Sequence, residues 1–154
     1  MNRREQIAMT PDEIRAFLVE RRIASIATNG RDGFPHVVAM WYVPRDQTLA
    51  FWTYAKSQKA VNLRRDPHLT YLVEAGEDYG ELRGVQIKGH AQISDDPAQV
   101  QQLGEELWRR YSSGGELSDA MRAMIAAQAR KRIAVLVQPV DVASWDHRKL
   151  GGVY

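Results

Sequence analysis

Apolar residues first recur at helical spacing, with Ile14, Phe17 and Leu18 on one face. The residues just before them, Thr10-Pro11-Asp12-Glu13, supply a cap, a proline at the first helical position and a glutamate at the third. A short helix therefore opens the fold, and residues 1–9 ahead of it are expected to be flexible.

The period then shortens to that of strands. Ile23-Ala24-Ser25-Ile26-Ala27-Thr28 runs through Asn29-Gly30-Arg31-Asp32-Gly33 into Pro35-His36-Val37-Val38-Ala39-Met40-Trp41-Tyr42-Val43, a hairpin with a slightly long loop. In its second arm Val37, Ala39, Trp41 and Val43 alternate with Val38, Met40 and Tyr42, so both faces are apolar and both are expected to be covered. Pro44-Arg45-Asp46-Gln47 turns into a strand around Phe51, and two more strands are expected at 68–75 and 82–93.

Asp96-Pro97 starts a helix carrying Val100, Leu103, Leu107, Trp108 and Tyr111. Gly114-Gly115 separates it from a second helical stretch with Leu117, Met121, Met124 and Ile125. Residues 133–137 and 140–145 read as final strands broken at Pro139, followed by a polar tail over 146–154. Strands joined mostly by turns predict an antiparallel barrel within a mainly β (α+β) single domain spanning 1–154.

Composition narrows the chemistry. The chain has 154 residues, 44% hydrophobic and 26% charged, which suits one ordinary globular domain. Its formal net charge is only +2, so a basic site must be local. There is no cysteine, which removes disulfides, thiolate metal sites and cysteine nucleophiles. The four histidines lack zinc-site spacing and no dense carboxylate cluster occurs, so no metal is expected. No apolar run approaches the roughly 20 residues of a bilayer span, and Met1-Asn2-Arg3-Arg4-Glu5-Gln6 lead into no apolar stretch, so the expectation is a cytoplasmic protein without membrane contact.

The most informative segment runs from Trp52 to Pro67. An aromatic strand, Leu49-Ala50-Phe51-Trp52-Thr53-Tyr54, leads into Lys56-Ser57-Gln58-Lys59 and a short basic helix closed by Asp66-Pro67. Ser57 can cap that helix, and the unpaired amides of its first turn, with Lys56 and Lys59 nearby, make an anion cradle suited to phosphate. A surface helix with solvated lysines has the same composition; the placement after a buried strand favours the cradle. Dinucleotide, P-loop and serine-hydrolase motifs are absent. Arg64-Arg65, Arg109-Arg110 and Arg130-Lys131-Arg132 are interleaved with acids or fall on solvated faces, so no nucleic-acid partner is expected.

The chain resembles the flavin- and deazaflavin-binding split β-barrel superfamily that includes pyridoxamine 5′-phosphate oxidase. The resemblance lies in the order of elements, in Pro35-His36-Val37-Val38-Ala39-Met40-Trp41-Tyr42-Val43, in the segment from Lys56 to Pro67, and in Gly89-His90-Ala91. The closing Ser144-Trp145-Asp146-His147-Arg148-Lys149 is similar to actinobacterial members that use the deazaflavin coenzyme F-420. The fold implied is the split barrel of flavin mononucleotide (FMN)-binding type.

In oxidases of this superfamily a basic residue stands at each end of the second strand's aliphatic run, serving FMN; here His36 and Trp41 take those places. The resemblance therefore implies F-420 first and FMN second. It implies that Trp52, Thr53, Lys56, Ser57, Lys59 and Asn62 hold the cofactor's phosphate and adjoining chain, while His36, Val37, Val38 and Met40 lie beside the ring. It further implies a homodimer with sites at the subunit interface, where Trp145 and Arg148 reach the partner's site. The activity implied is hydride transfer from reduced deazaflavin to a small unsaturated or carbonyl-containing molecule, with no residue assigned as catalytic. The alternatives are an FMN-binding oxidase-like enzyme and a non-catalytic F-420 carrier.

Overall fold

In the computed structural model, which describes residues 2–152, a short helix α1 (Arg3–Ile7) precedes α2 (Pro11–Glu20). Met1, of the leading arm, and Val153 and Tyr154, of the tail, lie outside the described residues. Thr10 Oγ1 accepts the Glu13 N–H at 3.3 Å, and the Glu13 carboxylate accepts the Thr10 N–H at 2.6 Å. The capping box legible in the sequence is thus closed, and Ile14, Phe17 and Leu18 turn inward. Where the sequence suggests a flexible arm, α1 carries its own capping box from Asn2 and Glu5, and the Met9 N–H donates to Ser144 Oγ at 3.0 Å.

The strands are β1 (Ala24–Asn29), β2 (Pro35–Met40), β3 (Val43–Arg45), β4 (Thr48–Tyr54), β5 (His68–Ala75), β6 (Arg83–Ser94) and β7 (Arg132–Asp146). Helix α3 (Gln58–Arg65) links β4 to β5, while α4 (Pro97–Tyr111) and α5 (Asp119–Ala129) link β6 to β7. All seven strands form one antiparallel sheet in the order β2-β1-β5-β6-β7-β4-β3.

That order makes β2 and β3 the two edges, although only Trp41 and Tyr42 separate them in the chain. Three Cα steps reach at most about 11 Å, so the sheet must curl until its edges nearly meet. The result is the split β-barrel. Its interior is filled by Ile26, Phe51, Tyr71, Val85, Ile87 and Val135, all without solvent contact. Outside, α4 lays Leu103 and Leu107 on Val43 and Ala50, with the Trp52 ring beside them.

Three expectations change. The long second strand breaks after Met40, because the chain crosses there to the far edge. Trp41 stacks on Tyr111 at 4.4 Å, and the Tyr42 hydroxyl donates to the Leu18 and Arg21 carbonyls at 2.7 and 2.9 Å.

Second, β2 pairs only with β1 and its faces are not both covered. His36, Val38 and Met40 are half-buried and face the barrel, whereas Pro35, Val37 and Ala39 are exposed. Third, Pro139 does not break β7. Lys88 pairs with Asp141 and Gly89 with Pro139, so Val140 is an extra, bulged residue, and the register shift accommodates a residue with no N–H to give.

Candidate cofactor site

Alternation along β4 decides what the cradle contains. Thr53 points into the barrel and is 3% exposed, while Trp52 and Tyr54 point out toward the helices. The turn after β4 is pinned twice, by the Ala55 N–H donating to Lys131 O at 2.9 Å and the Ser57 N–H to Tyr54 O at 3.0 Å. Ser57 then caps α3, its Oγ accepting the Ala60 N–H at 3.3 Å and lying 3.1 Å from Thr53 Oγ1.

The first helical bond is from the Val61 N–H to Ser57 O, at 3.0 Å. The Gln58 and Lys59 amides therefore stand ahead of it, at the positive end of the helix dipole. Lys56 is exposed on the turn and Lys59 is half-buried on the helix. Burial, and then the charge of Arg132, push the Lys59 ammonium below the ordinary lysine value. Among the described residues no carboxylate pairs with either lysine.

Asn62 sits on the other side of α3, fully buried. It accepts from Gln58 Nε2 at 2.8 Å and donates to Thr28 Oγ1 at 3.0 Å, tying α3 to β1. Beside this tie the hairpin loop and α3 enclose a cavity of about 440 Å³, lined by His36, Phe34, Asp32 and Gln58 among others. His36 Nδ1 is enclosed without a hydrogen-bond partner. The pleat of β2 divides the expected ring contacts: His36, Val38 and Met40 face the barrel side, and Val37 faces the opposite way.

Trp52 packs its ring against Gly104 of α4, on the face of β4 opposite Thr53. Trp145 and Arg148 stand at the far end of the 15-residue β7 and beyond it. There Trp145 lies flat over Gly84. Arg148 grips Asp146 with two bonds, Nε to Oδ1 at 2.9 Å and an Nη to Oδ2 at 2.6 Å. The chain thus gathers Thr53, Lys56, Ser57 and Lys59, and places Trp145 and Arg148 elsewhere.

Arg132 belongs with the cradle but was hidden in a basic run. It is the register partner of Tyr54, a pairing that no local sequence signal announces. Its neighbours in the other basic runs are committed to the protein itself: Arg64 pairs with Asp95 at 2.7 Å, Arg109 with Glu105 at 3.3 Å, and Arg110 donates to the carbonyls of Leu18, Val19 and Arg21.

Residues 10–146 match the sequence pattern of the family described as pyridoxamine 5′-phosphate oxidase. The chain belongs to that family. Among solved structures, this family member is similar to the conserved hypothetical protein Rv2991 from Mycobacterium tuberculosis, with 40% identity and a TM-score of 0.90 over 100% of this chain and 95% of the other. It is also similar to an F420 reductase, with 26% identity and a TM-score of 0.64 over 82% and 93% of the two chains. The heme storage protein HutZ from Vibrio cholerae shares the fold, with a TM-score of 0.65 at 16% identity over 86% and 93%. No curated protein matches the chain.

The pyridoxamine 5′-phosphate oxidase family thus includes an oxidoreductase similar to this chain. Among the described residues of this member, no group of three or more His, Cys, Asp or Glu side chains is arranged to hold a metal ion, and no helix is long and apolar enough to cross a membrane.

Proposed function

We propose that this member of the family binds coenzyme F-420 and transfers a hydride to a small unsaturated or carbonyl-containing molecule, with FMN as the second cofactor candidate. The observation that carries the proposal is the Ser57-capped start of α3, flanked by Lys56 and Lys59 without acid partners and backed by the Thr53 hydroxyl. Likeness to an F420 reductase supports the order of the two cofactors.

On this reading Lys56, Lys59 and the Gln58 and Lys59 amides hold the phosphate. Ser57 and Thr53 fix the turn that presents them. His36, with its free Nδ1 beside the cavity at α3, lies next to the ring with Val38 and Met40. When bound, the deazaflavin would supply the hydride; the protein orients it and excludes water. Asn62 holds α3 against β1 from behind.

The same reading takes the protein as a homodimer. Phe34, Val37 and Trp41 are 74, 57 and 57% exposed along the uncovered edge and outer face of β2, an apolar surface suited to a second copy. Trp145 and Arg148, far from their own cradle, would then serve the partner's.

The test is a parallel fluorescence titration with F-420 and FMN, followed by exposure of the reduced F-420 complex to candidate acceptors. Selective F-420 binding and acceptor-dependent consumption are expected. Tight binding that slows oxidation, with no acceptor used, would instead make the protein a carrier. Preference for FMN would place it with the flavin-dependent oxidases.

A further inference from the structure

His68 and His90 stand far apart in the sequence, yet β5 and β6 make them register partners. Directly opposed residues of an antiparallel pair hold their Cβ atoms about 5 Å apart. The two rings meet with centroids 4.7 Å apart and planes at 68°. Two imidazoles bound to one ion at right angles, each through a nitrogen at about 2 Å, have their centroids about 4.5 Å apart. The observed separation therefore suits a shared ion. Histidine spacing along the chain, which argues against a metal, is blind to this pairing across strands.

Asp66 prepares His68 for that role. His68 Nδ1 lies 2.6 Å from Asp66 Oδ1, and the His68 backbone N–H donates to the same oxygen at 3.1 Å. Asn29 Nδ2 donates to Asp66 Oδ2 at 2.9 Å. That bond first, and the His68 ring and amide after it, hold the Asp66 carboxyl well below the ordinary carboxylate range. An ionised carboxylate only accepts, so His68 Nδ1 carries the proton and Nε2 keeps its lone pair for a ligand.

The strands are fixed beside the pair by the Ala91 N–H donating to Pro67 O at 2.8 Å. Both histidines are exposed, and they line a cavity of about 530 Å³ with Thr70, Lys88 and Val140. Lys88, the cation on that rim, has Asp141 Oδ2 within 3.8 Å to offset its charge.

We infer that His68 and His90 chelate a divalent late transition metal, copper(II) ahead of zinc(II), with water at the remaining coordination positions and Asp66 positioning His68. Imidazole nitrogens favour these ions, copper(II) binds most tightly in the divalent series, and a carboxylate behind a ligating histidine fixes its ring and raises its basicity. Asp66 caps the far end of α3 from the Ser57 cradle, so the site draws on nothing in the cofactor reading.

The test titrates the full chain with copper(II) chloride at neutral pH in a non-chelating buffer, followed by electron paramagnetic resonance, and repeats it with zinc(II) in competition. One copper per chain is expected, with hyperfine structure from two nitrogens, and zinc should displace it only in excess. His68→Gln and His90→Gln should each weaken copper binding by about tenfold or more, whereas His147→Gln should leave it unchanged. Copper affinity unaltered in either His68→Gln or His90→Gln overturns the site. Should those variants not fold, paramagnetic broadening in the wild-type protein decides: it must centre on the His68 and His90 rings, and broadening centred elsewhere overturns the site.

The part given to Asp66 is read separately. Asp66→Asn should weaken copper binding by about tenfold and change the proportion of the His68 Nδ1–H tautomer, seen in the ring ¹⁵N shifts of the metal-free protein. Unchanged shifts and affinity would remove Asp66 from the site.

Discussion

Asn62 donates its side-chain amide to Thr28 Oγ1 at 3.0 Å across the seam between α3 and β1, and both residues are sealed from solvent, at 0 and 1% exposure. The same amide's oxygen accepts from Gln58. Asn62→Leu would leave the Thr28 hydroxyl unpaired and force a branched side chain into the seam. A loss of about 2–4 kcal/mol is expected in denaturant unfolding. Loosening α3 would also blur the cradle, so cofactor affinity should fall with stability. A variant as stable as wild type would show that the tie contributes little.

Gly84 and Trp145 are joined more tightly still, since a Cβ on Gly84 would fall inside van der Waals reach of the indole, with Cη2 at 2.8 Å. Gly84→Ala should therefore push the ring off β6 and destabilise the fold by about 1–3 kcal/mol. Intrinsic tryptophan fluorescence should report the displaced indole. An unchanged spectrum and melting temperature would mean that the ring has room to move.

What the sequence made legible follows from what is local. Thr10 and Glu13, Ser57 and the Asp66-Pro67 stop act within a few residues, and each stands where its spacing puts it. Strand β5 likewise spans His68–Ala75 as its alternation indicates. Arg132 was missed because its partner, Tyr54, is set by strand register across the barrel. The break after Met40 was missed for a related reason: nothing in an apolar run shows that two of its residues must cross from one sheet edge to the other. The resemblance named Trp52 and Val37 for the cofactor, and the pleat sets Trp52 on the face of β4 opposite Thr53 and Val37 on the face of β2 opposite His36.

Asp146 supplies an acid dependence. It is 5% exposed, and its carboxyl is held below the ordinary 3.8 mainly by hydrogen bonding to Arg148. A carboxyl whose pKa is lower when folded stabilises the native state above the ordinary value, and that contribution is lost as pH falls from about 4 through the folded value. Thermal melts of wild type should steepen in that range. Asp146→Asn should lower the melting temperature at neutral pH and flatten the decline below pH 4; parallel curves would assign the acid sensitivity elsewhere.

The proposed dimer makes Val37 a sharp probe, because it projects from the outer face of β2, is 57% exposed and supports nothing inside its own barrel. Val37→Glu should leave the fold intact and convert a dimer to monomers in light scattering at micromolar concentration. If Trp145 and Arg148 serve the partner's site, cofactor affinity should fall in the same variant. A wild-type protein that is already a monomer would remove the interface from the proposal.

Lys56 and Lys59 carry the cofactor prediction. Replacing both by alanine removes charge-assisted hydrogen bonds to the phosphate and should weaken F-420 binding by about 1–3 kcal/mol in a fluorescence titration. Because burial and Arg132 lower the Lys59 pKa in the free protein, and a bound anion would raise it again, binding takes up a proton as pH approaches that lowered value. Affinity should therefore be greatest below it and decline with rising pH before the ordinary lysine value of 10.5 is reached. The single variant Lys59→Ala should lose that part of the slope while Lys56→Ala keeps it. A slope identical in both variants would show that the titrating group lies outside the cradle.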